Sequence, residues 1–291
     1  MKIDFHVHPY LEQYGAKDIV KAMQKRSIGA TGLAGFNKDI FDNLRRRFET
    51  ESSIRSDSDS LMIETTDQAG NKLYFPRISE YQNKEGFHIL VMGNQKDICQ
   101  DAPIKKNIEN ALTNDSFVVI DHPFVALNYS DIQKNKSDYL FSLCKEYSGK
   151  IALEWNGYCI PILRNSIDKI LCSPLRIMGR DIEFGDVNKK LEDFVSKTKG
   201  EGLNCPLIAD TDLHARSASD LCLIGTSNIN ADVKSNSGKE FIDSIKQKIF
   251  SSDYSITKDY VQTSHFILSY GIPVMLGKIN KRIGESMMPR G

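Results

Sequence analysis

The sequence has no excess of charge of either sign, with 38 Lys+Arg against 38 Asp+Glu. Such a balance supplies no global attraction for a polyanion, so bulk binding of nucleic acid or of an anionic membrane is not what the composition supports. Long apolar runs are also missing. A membrane span needs about 20 consecutive apolar residues, and the best runs, Ile89 to Met92 and Ile272 to Leu276, are far shorter. The opening Met1-Lys2-Ile3-Asp4-Phe5-His6 sets an acid and a histidine where a secretory leader carries its apolar stretch. The expectation is a soluble, cytoplasmic protein. None of the six cysteines (Cys99, Cys144, Cys159, Cys172, Cys205, Cys222) belongs to a Cys-x-x-Cys pair, which excludes zinc-ribbon and thioredoxin-type motifs. Leu143-Cys144 and Leu221-Cys222-Leu223 set thiols in apolar company, so buried, reduced cysteine is expected.

What the sequence has is alternation. Short β-branched or aromatic runs at Ile3 to His8, Ala30 to Phe36, Leu61 to Thr65, Leu73 to Ile78, Phe87 to Met92, Phe117 to Asp121, Ile151 to Trp155 and Leu207 to Ala209 predict strands. Helical spacing separates them, in Ile19, Val20 and Met23, in Tyr139 to Tyr147, and in Leu191, Phe194 and Val195. This order argues for an α/β fold, a parallel sheet wrapped by helices, open or closed as a barrel. Arg45 to Asp59 reads as a solvated insertion, followed by a hairpin turning at Gln68-Ala69-Gly70-Asn71. After His214 the pattern becomes mostly helical, with Phe241, Ile242, Ile245, Ile249 and Phe250 on one face. No fixed-period repeat and no long linker divides the 291 residues. A single domain is expected, with residues 1–215 as its body and 216–291 as a helical extension packed on it.

Histidine is scarce, at six residues, and its placement is the chemical signal. His6 and His8 form His-x-His at the end of the first strand, where alternate residues point to one face and both imidazoles reach one ion. Phe117 to Asp121 leads into His122-Pro123, and Leu207 to Ala209 leads into Asp210-Thr211-Asp212-Leu213-His214. Three strands that end in imidazole or carboxylate predict a site at the carboxyl ends of the sheet, with donors suited to Zn, Mn or Fe.

These islands, together with Pro76-Arg77-Ile78-Ser79-Glu80 and Gly86-Phe87-His88-Ile89-Leu90-Val91-Met92-Gly93, resemble the ordered motifs of the PHP (polymerase and histidinol phosphatase) family. The resemblance runs from the first residues to about Ala215. It implies a distorted (β/α)7 TIM-like barrel that hydrolyses phosphate esters with a metal-activated water. It further implies a first divalent ion held by His6, His8, Glu80 and Asp212, and a second by Glu80, His88 and His122. Glu80 would bridge the two, and Glu85 competes for that role. Glu80, Asp212 and His214 would serve catalysis. Arg216 would bind the substrate phosphate through its forked donors, Glu154 would shape the pocket, and Asp4 would support an imidazole. A third ion in the family uses an acid after His-x-His and a histidine ending the second strand. Here Glu12 and Asn37 stand at those places, and only His214 is kept. Two ions are therefore expected, acting on a small phosphate ester and not on extended nucleic acid, with no membrane partner. An amidohydrolase-type enzyme is the nearest rival, but no strand-end lysine supports it. A scaffold that has lost catalysis is the other rival, and the missing histidine is its best support.

Overall fold

The computed structural model describes residues 1–51, 54–56, 61–125, 136–161, 186–233, 235–265 and 267. Its first strand, β1 (Lys2–Pro9), is buried at six successive positions, so both faces are covered and the apolar residues Ile3, Phe5 and Val7 alternate with Asp4, His6 and His8. The helix α1 (Ala16–Arg26) follows and buries Ala16, Ile19 and Met23. It ends at Ser27 in the left-handed region, φ 55°, and returns the chain to β2 (Ile28–Leu33), parallel to β1. A Cβ at Gly32 would stand 2.2 Å from the carbonyl oxygen of Phe5, so the close approach of these two strands requires glycine there.

The remaining strands are β3 (Gly35–Phe36), β4 (Ile54–Ser56), β5 (Met62–Thr66), β6 (Lys72–Pro76), β7 (Ile78–Gln82), β8 (His88–Met92), β9 (Phe117–Asp121), β10 (Ile151–Asn156), β11 (Leu207–Asp210), β12 (Leu213–Ala215), β13 (Asn228–Asn230) and β14 (Ser255–Thr257). The expected hairpin is present, with β5 and β6 antiparallel and Thr66 opposite Lys72. The expected closed seven-stranded barrel is not. Among the described residues the strands form an eight-stranded sheet in the order β14-β13-β1-β2-β6-β5-β4, with β12 also on β1, and a six-stranded sheet in the order β11-β10-β9-β8-β7-β3. At one seam the chain itself passes between sheets, from β2 into β3 and from β6 into β7. At the other, side chains replace a ladder. The Phe5 N–H donates to Asp210 Oδ1 at 2.7 Å, and the Thr211 N–H donates to Asp4 Oδ1 at 3.1 Å.

Helices α3 (Ile104–Thr113), α4 (Lys136–Glu146) and α5 (Val187–Gly200) cover the six-stranded sheet through Ile104, Ile108, Leu140, Leu143, Leu191 and Phe194. The region read as a solvated insertion begins instead with a helix, α2 (Phe41–Glu51). Phe41, Leu44 and Phe48 are buried in it at the three- and four-residue spacing of one helical face, while the three arginines occupy the positions between. After Ala215 the chain adds β13 antiparallel to β1 and then α6 (Gly238–Phe250), whose Phe241, Ile242, Ile245 and Ile249 join the core between the sheets. Two cysteines depart from expectation. Cys99 and Cys222 are exposed, whereas Cys144, Cys159 and Cys205 are buried; a single 3₁₀ turn at Asp220–Leu223 buries Leu221 and turns Cys222 outward. Cys172 and the apolar run at 272–276 lie outside the described residues. No helix among the described residues is long and apolar enough to cross a membrane.

Candidate metal centre

Five strand ends meet at one place. β1 delivers His6 and His8, and β12 sets His214 in register with His8. β7 delivers Glu80, and β8 opens with His88 directly opposite Asp121 at the end of β9. His122 and Asp212 both have positive φ, 24° and 53°. Consecutive strand residues point to opposite faces, and these left-handed positions break that alternation just where the strands end. Such conformations are costly for residues other than glycine and collect at functional sites.

The tautomers of the first pair follow from their partners. His6 Nδ1 lies 2.7 Å from Glu154 Oε1 and His8 Nδ1 lies 3.2 Å from the Ala34 carbonyl oxygen. Both partners are acceptors, so both Nδ1 atoms donate. Once the rings are deprotonated, as metal ligation requires, the Nε2 atoms carry the lone pairs, and they face each other at 3.0 Å. Glu80 Oε2 stands 3.1 Å from His8 Nε2, and Asp212 Oδ1 stands 3.4 Å from each Nε2. Four lone pairs converging in a buried space are what a divalent cation satisfies, and the outer partners Glu154 and Ala34 orient the rings as ligand-supporting groups do. The donor set fits a cation.

Glu80 reaches a second cluster with its other oxygen. Oε1 is in contact with His88 Nδ1 and lies 3.8 Å from His122 Nε2. Glu80, His88, Asp121 and His122 each present a ligand atom within 4.8 Å of the others, and His6, His8 and Asp212 do the same. Glu85 is elsewhere, its carboxylate accepting from the Ile104 N–H at 2.9 Å at the start of α3. Asn37, at the place of the third ion's histidine, has become a clamp for Glu80. Its N–H donates to the Glu80 carbonyl at 2.7 Å, and its side-chain oxygen accepts from the Gln82 N–H at 2.8 Å.

Burial opposes every charge here, and the outcome turns on whether the neighbours outweigh it. For His6 the carboxylates of Asp121, Asp212 and Glu154 overcome burial and hold its pKa well above the ordinary value. Against the same opposition, Asp212 and Glu80 push His8 up to about 9. Glu80 is held well below the carboxylate range because His88, His6 and His8 outweigh its burial. Burial, helped by the charge of His8, drops His214 to about 3, and burial also lowers His122. Burial and the charge of Asp121 raise Glu154 well above its usual range.

The cluster floors a cavity of about 730 Å³, with His8, Glu80, His88, His122, Asp212 and His214 in its lining. Its rim carries Glu12, Lys38 and the aromatic rings of Tyr10 and Phe36, which are 37% and 44% exposed. Arg216 is not in the lining; its guanidinium sits 5.5 Å over the Tyr10 ring. Asp4 supports the backbone and no imidazole ring, accepting from the N–H groups of Thr211 and Gly225. His265 lies outside the centre, with Nε2 2.8 Å from the Tyr158 hydroxyl. Asp121 is the donor that sequence reasoning passed over. It stands inside the Asp121-His122-Pro123 motif, but strict alternation assigns it to the face away from its neighbour.

No protein-family model matches the chain, and no curated protein sequence does. Solved structures do. A lesion-specific endonuclease, endonuclease Q from Pyrococcus furiosus, superposes with a TM-score of 0.51 at 14% identity over 88% of this chain and 57% of that one. A two-domain protein from Bacteroides vulgatus containing a predicted PHP-like metal-dependent phosphoesterase superposes with a TM-score of 0.50 at 13% identity, over 89% of this chain and 65% of that one. The chain thus spans less than two thirds of the length of either. What these likenesses show is the fold, which is PHP-like.

Proposed function

We propose that this chain is a metal-dependent phosphoesterase that hydrolyses a small phosphate ester, a phosphomonoester or a short nucleotide. The observation that carries the reading is the division of labour at Glu80, one carboxylate oxygen turned to His8 and the other to His88. His6, His8, Asp212 and Glu80 would hold one divalent ion, and Glu80, His88 and His122 a second. Such ions, when bound, supply an activated water and neutralise the phosphoryl oxygens. The protein residues do the rest. Glu154 and Ala34 keep the Nε2 lone pairs of His6 and His8 aimed at one point, and Asn37 fixes the strand that carries Glu80. His214, neutral near pH 7 because of its depressed pKa, lines the cavity beside Asp212 at 3.6 Å without adding positive charge.

Support for a small substrate comes from the cavity volume, which is within the range of small-ligand sites, and from the balanced charge, which offers no extended basic track. The exposed rings of Tyr10 and Phe36 on the rim suit stacking against an aromatic or sugar leaving group. Lys38 in the lining and Arg216 over the Tyr10 ring are cations available for a phosphate. A scaffold has no use for this many buried, mutually facing donors.

The test is a screen of phosphomonoesters, nucleotides and a lesion-bearing DNA duplex with Mn, Zn or Fe, run beside Asp212→Asn. The expected result is phosphate release from a small ester by the wild type, with Asp212→Asn reduced by more than about 100-fold, beyond the loss typical of an outer partner. Cleavage of the duplex alone would move the substrate to nucleic acid. No hydrolysis of any ester by metal-loaded protein would overturn the reading.

A further inference from the structure

We propose that Asp121 is a ligand of the second cation position, so that this position is built from two carboxylates, Glu80 and Asp121, and two imidazoles, His88 and His122. The inference rests on the metal-dependent reading above and deepens it.

Asp121 is fully buried, and neither carboxylate oxygen has a hydrogen-bond partner. A buried carboxylate without donors is expensive, and native structures that keep one have a use for it. The supporting role at His6 is already filled. Glu154 Oε1 is 2.7 Å from His6 Nδ1 and Asp121 Oδ1 is 3.5 Å away, while Glu154 also accepts from the His122 N–H and from Asn156 Nδ2. Glu154 is therefore hydrogen-bonded through both oxygens as an outer partner, whereas Asp121 makes no hydrogen bond.

Where Asp121 does point is informative. Its Oδ2 lies 3.0 Å from His122 Nε2 without hydrogen-bond alignment, a separation at which two donor atoms can share one ion. Asp121 is paired across the sheet with His88, and the φ of 24° at His122 turns that side chain back to the side of its predecessor. The strained residue thus has a consequence: two sequential donors, Asp121 and His122, reach the same point. A regular strand would have separated them.

Titration of the full-length protein with Mn(II) tests this, read as ions per chain after desalting and as the exchange-coupled signal of a carboxylate-bridged pair in electron paramagnetic resonance. The wild type is expected to bind two ions and show the coupled signal. Asp121→Asn, like His122→Ala, is expected to keep one ion, lose the coupling and weaken the second site at least about 100-fold. Glu154→Gln is expected to keep both ions with affinity lowered about 10–100-fold, as for an outer partner. Thermal unfolding of the metal-free proteins guards against misfolding, with Asp121→Asn expected to unfold as cooperatively as the wild type. Asp121→Ser serves for the same readouts if that variant does not fold. Two ions bound by Asp121→Asn with wild-type affinity and coupling would overturn the assignment alone, leaving Asp121 as a proton-sharing neighbour of Glu154. A wild type that binds no Mn(II) would overturn both this assignment and the reading it rests on.

Discussion

Two groups of buried acids lie a few residues apart in this fold and are treated differently. At the seam between β1 and β11, Asp4 accepts from the backbone N–H groups of Thr211 and Gly225, and Asp210 accepts from that of Phe5 through one oxygen while the other makes no hydrogen bond. At the cavity floor, Glu80 and Asp212 face imidazole nitrogens, and Asp121 lies beside His6 and His122 without making a hydrogen bond to either. The first group replaces ladder hydrogen bonds that two sheets cannot make across a seam. The second is gathered around imidazoles, where a divalent cation would satisfy its lone pairs and charge. Burial alone therefore does not mark a functional carboxylate; the identity of its partners does.

The contrast can be broken from the structural side first. Asp4→Ala leaves the N–H groups of Thr211 and Gly225 buried without acceptors, at about 1–3 kcal/mol each. The expected result is a large drop in melting temperature, with the folded fraction still binding its ions. A variant of unchanged stability that had lost metal would place Asp4 in the second group and undo the distinction.

A smaller effect sharpens it from the metal side. Because Asp212 and Glu80, against burial, push His8 up to about 9, the metal-free protein carries a proton there at neutral pH. An ion must displace it. Affinity for Mn(II) is then expected to rise as pH is raised towards 9, by up to about tenfold per unit for one proton released, and to level off above it. Calorimetry in two buffers of different ionisation enthalpy reads the proton directly. Binding at pH 7 without proton release would show that His8 is already neutral, and so not a partner of the charged acids.

Much of this site was legible in the sequence because the fold respects simple periods there. His6 and His8 sit two apart on a regular strand, and the strand-end positions of His122, Asp212 and His214 follow from apolar runs that stop in front of them. Glu80 could not be separated from Glu85, since only the pairing of β7 with β3 and β8 shows which acid faces inward. Asp121 was hidden because its alignment with His122 depends on one positive φ that no pattern announces. Helix α2 escaped notice under its arginines, although Phe41, Leu44 and Phe48 kept helical spacing. The barrel expected from the resemblance became two sheets because the seam at Asp4 and Asp210 is made by side chains, a detail below the reach of strand patterns. Arg216 follows His214 closely in sequence, yet its guanidinium stacks over Tyr10 and does not line the cavity.

The most direct test of the central claim is the metal content of freshly purified wild-type protein, counted per chain by elemental analysis and set against phosphate-ester hydrolysis before and after chelation. Two ions per chain, with hydrolysis lost on chelation and restored by Mn, Zn or Fe, is the predicted result. Metal near zero after metal-replete purification, or hydrolysis indifferent to chelation, would contradict it.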